Sequence, residues 1–120
     1  MDDSEYVSSS IMKNGFQDCL AYQTLVKLGM VQLPRLQGGD RCTIQVHWLN
    51  KYWQIKYPGV AQDPFSCAWG DDVTKAEALL IALKKVWTEH VRKDPAENAK
   101  ATLERIEGAI DLGIGKNITD

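Results

Sequence analysis

The sequence predicts an α+β fold: a three-stranded antiparallel sheet covered on one face by a long helix, with an additional N-terminal and C-terminal helix. Three observations carry this. Cys42–Trp48, Tyr52–Tyr57 and Phe65–Trp69 alternate apolar and polar side chains with period two, as half-buried strands do. Ala76, Leu80, Leu83 and Trp87 recur at i, i+4, i+7 and i+11, widened by Leu79, Ala82, Val86 and His90 into a stripe broad enough to lie across a sheet. The link Leu49-Asn50-Lys51 holds a turn-tolerant Asn, so the first two strands form a hairpin, and a meander is the short-connection default for the third.

Taken in order, residues 1–13 are acidic and serine-rich, a flexible lead-in with little to bury. Residues 14–29 read as a helix, opened by Asn14 and Gln17 in a capping box and stopped at Gly29. Met30–Pro34 is expected to be extended, leading to a turn at Gln37–Asp40. In the first strand Ile44, Val46 and Trp48 share one face and Thr43, Gln45 and His47 the other. In the second, Trp53, Ile55 and Tyr57 oppose Gln54 and Lys56. In the third, Phe65, Cys67 and Trp69 are assigned to the apolar inner face, which would then hold three of the four tryptophans. Each such aromatic would bury roughly 150–250 Å². Thr74 with Glu77 forms a capping box for the long helix, with Val73 and Ala78 at the staple positions. Asp94 as N-cap and Pro95 as first helical residue open a helix over 95–112 that stops at Gly113, and 113–120 is a loose tail. Its single apolar stripe, Ala99, Leu103, Ile106 and Ile110, suits either the edge of the core or a second copy of the chain.

Size and charge narrow the function. At 120 residues the chain is one domain, and 44% apolar with 25% charged residues argues against a disordered chain. The net charge of −2 is unevenly spread: 8 basic against 5 acidic residues over 41–93, but 3 against 5 before that stretch and 3 against 6 after it. No apolar run is long enough to cross a bilayer, and Met-Asp-Asp-Ser-Glu is the reverse of a basic signal-peptide start, so a cytoplasmic location is expected. Cys19, Cys42 and Cys67 are odd in number and lack CxxC spacing, and are read as free, partly buried thiols.

Enzymatic constellations are not evident. His47 and His90 have no HxxxH or HExxH spacing, and His90, near a helix end, reads as a dipole partner or rim residue. Asp71-Asp72 suits a helix N-terminus better than a metal site, and Gly38-Gly39-Asp40 lacks the spacing of a phosphate loop. No cofactor is implied. What remains is the polar sheet face, with Thr43, Gln45, His47, Gln54, Lys56 and Ser66 and the neighbouring Lys51, a set able to read base edges and hold phosphates.

Tyr52-Trp-Gln-Ile-Lys56, Ala68-Trp-Gly70 and Val73-Thr-Lys-Ala-Glu-Ala78 resemble the second strand, third-strand end and helix entry of the ethylene-response-factor (apetala-type) DNA-binding domain and its phage-integrase arm-binding and homing-endonuclease relatives. The resemblance covers about 50 residues, 41–93. It implies a sheet lying in the major groove, with Gln45, His47, Gln54 and Lys56 toward bases or phosphates. The strands carry no arginine beyond Arg41 and the chain is acidic overall, unlike a strongly basic phosphate-binding surface. Two readings follow: a non-enzymatic DNA-binding regulator of phage or bacterial type, with a homodimer through residues 95–112, or an acidic protein-binding inhibitor or adaptor that engages a basic, nucleic-acid-binding partner protein. A small-ligand site lined by Trp and Tyr at the sheet edge is a third.

Overall fold

A computed structural model describes residues 19–36, 41–47, 49, 51–57 and 67–117. Its elements in order are α1 (Leu20–Lys27), β1 (Thr43–His47), β2 (Tyr52–Lys56), β3 (Cys67–Gly70), α2 (Ala76–Lys93), α3 (Glu97–Asp111) and a short 3-10 helix, η1 (Ile114–Asn117). The fold is α+β. The strands are antiparallel in the order β1-β2-β3. No described helix is long and apolar enough to cross a membrane.

The β1–β2 register pairs Ile44 with Ile55 and Val46 with Trp53, and these four side chains are buried in the hydrophobic core. Alternation in a pleated strand sends their neighbours Thr43, Gln45, His47, Gln54 and Lys56 to the other face. The third strand differs from expectation. Gly70 lies opposite Trp53 and Ala68 opposite Ile55, so positions 68 and 70 are in phase with the inner face. Positions 67 and 69 are in register with Lys56 and Gln54 instead. The cause is visible at Gly70, where a Cβ would come within 2.0 Å of the Ala78 carbonyl oxygen. The first turn of α2 lies directly on the strand, and no side chain fits at position 70. Alternation identifies which residues share a face but not which face is inside, and a one-residue change of phase exchanges the two. Trp48, Phe65 and Ser66 lie outside the described residues, as do the expected lead-in, the Asn14–Gln17 capping box and the Gln37–Asp40 turn.

Helix ends depart from the capping signals. The N-cap of α2 is Lys75, with no side-chain cap bond. The Asp72 carboxylate accepts from the Thr74 backbone N–H at 3.0 Å and from its hydroxyl at 2.7 Å, an Asx turn that engages Thr74 before it can cap. Asp94 closes α2 rather than opening α3: its N–H donates to the His90 carbonyl and its own carbonyl accepts from Ala96, the N-cap of α3. Pro95 therefore stands outside the helix. The Gly29 stop is as expected. With φ +71°, Gly29 donates to Val26 and Met30 to Leu25, the paired bonds of a Schellman motif.

Both other long helices pack on α2, which is in turn packed against β2, β3 and η1. The stripe of α3 is used here: Ala99, Ile106 and Ala109 are buried, and Leu103 and Ile110 half-buried. Arg105 ties α3 to the segment after α1, donating to the Gly29 carbonyl at 3.2 Å and to Gln32 Oε1 at 2.8 Å. Gly70→Ala is expected to lower unfolding free energy in urea by about 3 kcal/mol or more, because the obstacle is backbone. Gly108→Ala, where a Cβ meets nothing within 4 Å inside α3, is the control. It should raise stability by up to about 1 kcal/mol. Equal effects at the two positions would contradict the close strand–helix approach.

Candidate functional site

The hairpin brings the residues expected on the polar face together. Thr43 is paired with Lys56, Gln45 with Gln54 and His47 with Tyr52. Directly opposed side chains in an antiparallel pair stand roughly 5 Å apart, so these six form a continuous patch about two residues wide. Their surroundings are not uniform. Lys56 is exposed, Thr43, Gln45, His47 and Tyr52 are half-buried, and Gln54, on the central strand, is 7% exposed. The His47 ring donates from Nε2 to Gln54 Oε1 and stacks on Tyr52 with centroids 4.5 Å apart and planes 14° from parallel. The histidine is thus fixed by an amide on one side and a phenol ring on the other. Tyr52 was not among the residues singled out from the sequence; its place opposite His47 follows only once the hairpin register is known.

Lys51 stands apart from this patch. It occupies the hairpin turn in a left-handed conformation, φ 54°, with its carbonyl accepting from the Val73 N–H at 3.0 Å. Its side chain is exposed at one end of the sheet and Lys56 lies at the other end of β2. Four other cations of the basic stretch are paired with carboxylates. Lys75 pairs with Asp72 at 3.7 Å, Lys84 with Glu107 at 3.7 Å, and both Arg92 and Lys93 with the buried Glu89, the latter at 3.6 Å. Among the described residues, no group of three His, Cys, Asp or Glu side chains is arranged to hold a metal ion. Cys19 and Cys42 are buried and neither is in a disulfide.

A second site lies where sequence reading had none. His90 is 8% exposed, in the last turns of α2, with Nδ1 hydrogen bonded to the Tyr57 hydroxyl at 2.8 Å and the ring edge-on to Trp87 at 5.6 Å. It is a buried residue, not a rim residue. Tyr57 continues β2 and is itself buried, and the Trp87 indole N–H donates to the Gln32 carbonyl at 2.8 Å. Two adjoining cavities of about 310 and 370 Å³ meet at this cluster and share Arg35, His90 and Asp94. Burial holds the His90 imidazolium below the usual histidine range, with the Asp94 carboxylate working weakly the other way. Burial likewise raises the Tyr57 phenol, reinforced by Cys42, Glu89 and Asp94. The helical stripe contains His90, but no sequence signal pairs it with a tyrosine 33 positions earlier.

Because the folded pKa of His90 lies below its unfolded value, the unfolded chain binds the extra proton first. Stability is therefore full above about pH 6.5 and falls as the pH drops toward the folded pKa. The urea midpoint of the wild type should fall between pH 7.5 and pH 5.5, and His90→Gln should flatten that fall. An identical fall in both proteins would show that His90 is not the titrating group. No family model, curated protein or solved structure matches this chain.

Proposed function

We propose that the chain is a non-enzymatic binding domain that docks nucleic acid on the outer face of its sheet. The observation that carries this is the composition of that face. In a chain of net charge −2, the outward positions of β1 and β2 hold the half-buried Gln45 amide, the Thr43 hydroxyl, a His47–Tyr52 stack braced by the buried Gln54 amide, and the exposed Lys56, with no carboxylate. Amides and hydroxyls recognise base edges, an aromatic pair offers a stacking platform, and a flanking lysine takes a phosphate. All described helices lie on the side of α2, so no described helix covers the face. The apolar stripe of α3 is occupied by α2, which weakens the argument for a homodimer through residues 95–112; binding is proposed for the single chain. Buried thiols outside disulfides at Cys19 and Cys42 fit a cytoplasmic setting.

A second reading is an acidic module that engages a basic partner protein. It is favoured by the internal pairing of Lys75, Lys84, Arg92 and Lys93, which leaves few cations for phosphates, and by the exposed Glu97, Glu104 and Asp111 along α3. Fluorescence polarisation with labelled duplex and single-stranded oligonucleotides separates the two. Nucleic-acid binding predicts a dissociation constant on the order of 10–100 µM at about 50 mM salt, weakening with added salt. Lys56→Gln should reduce the salt slope by about one and Gln45→Ala should weaken binding at every salt concentration. Absence of binding at that low salt, or full affinity in the folded double variant, would leave the protein-binding reading standing.

A further inference from the structure

The outer sheet face carries a ring pair whose direction is set by the hairpin. His47 and Tyr52 are directly opposed across β1 and β2, both are half-buried, and their rings stack with centroids 4.5 Å apart and planes 14° from parallel. That separation is close to the roughly 4.8 Å between neighbouring strands, so the stack runs across the strands rather than along them. One end of the stack is Tyr52, on the central strand. The other is His47, on an edge strand, and among the described residues no strand follows β1. The far face of the imidazole therefore looks off the edge of the sheet. The hydrogen bond from Nε2 to the buried Gln54 amide holds the ring in this plane.

We propose that an unpaired base extends this stack on the far face of His47, so that the ligand of the sheet face is single-stranded nucleic acid, which presupposes that the face binds nucleic acid at all. Gln45, two residues back on the same strand and face, offers its amide beside that base. The supply of cations decides between single strand and duplex. Duplex binding draws its affinity largely from phosphates neutralised by several cations. Here the outward positions of β1 and β2 hold one exposed cation, Lys56, joined by Lys51 in the turn. The Gln54 amide is buried with its oxygen engaged, so it cannot make the two-bond fork that reads adenine in a groove. Stacking does not depend on that charge, and each stacked base contributes about fivefold to a hundredfold in affinity. In a duplex the same base is already stacked on its neighbours and must first be unpaired and turned out, which opposes binding.

The test uses the full chain and fluorescence polarisation at about 50 mM salt, where the phosphate contribution is large. Three labelled probes of one length are compared: a mixed-sequence strand, the duplex it forms with its complement, and a chain of abasic residues that keeps the phosphates and lacks the bases. The strand should bind at least about fivefold more tightly than either of the others, the low end for one stacked base. His47→Ala should weaken strand binding by about fivefold or more, and His47→Phe, which keeps a flat ring, should hold it within about twofold of wild type. In NMR titrations the His47 ring protons should move upfield with the strand, as a base stacked on the ring requires, and stay in place with the abasic chain. Equal binding of strand and abasic chain, duplex binding as tight as the strand's, or equal strand affinity in His47→Ala and His47→Phe would each overturn the unpaired base while leaving the sheet face as a nucleic-acid surface. Absence of binding to all three probes would overturn both.

Discussion

The rest of the structure depends on the burial of α2 around most of its circumference. Ten of its 18 residues are buried, including Leu79, Leu80, Leu83 and Val86, and the sheet, α1, α3 and η1 all pack on it. A helix so enclosed cannot lie at ordinary distance from every neighbour. On the sheet side the approach is made by backbone, with the Ala78 carbonyl against Gly70. On the η1 side it is again backbone, since a Cβ at Gly115 would come within 2.4 Å of Glu77. Leaving side chains out at these two crossings lets aromatic and aliphatic groups fill the space elsewhere. Trp53 and Ile55 do so on the inner face of the sheet.

Placing every described helix on one side of the sheet has an electrostatic result. Lysines and arginines of α2 are held by carboxylates of the helical layer, Lys84 by Glu107 and the Arg92–Lys93 pair by Glu89. Glu89 is buried, and two cations one turn further on offset the cost of burying its charge. Among the described residues, the outward positions of β1 and β2 carry no carboxylate and one exposed cation, Lys56. Any anion bound there is recognised more through hydrogen bonds and stacking than through a strong field, which implies low affinity and a shallow dependence on salt.

The α+β class, the β1–β2 hairpin and the inner residues Ile44, Val46, Trp53 and Ile55 were legible because each strand carries an alternation that a single buried face enforces. The phase of β3 was not. Its large residues suggested the inside, but the register places positions 68 and 70 in phase with the inner face, and at Gly70 the backbone of a helix that follows in the chain leaves no room for a Cβ. Capping signals failed at Thr74 and Asp94 for one reason: a competing local bond engaged the residue first. The outer-face set Thr43, Gln45, His47, Gln54 and Lys56 was legible from the same alternation, whereas Lys51 belongs to the turn. The His90–Tyr57 cluster needed the register of β2 and the axis of α2 together, which no local pattern encodes.

The most direct test of the outer face as the contact surface is a map of backbone amide shifts on titration with a short oligonucleotide at low salt. Perturbations confined to residues 43–47 and 52–56, with the amides of α3 unmoved, are the result this structure predicts. Perturbations centred on α3 or on the cleft at His90, with the strands unmoved, would contradict it.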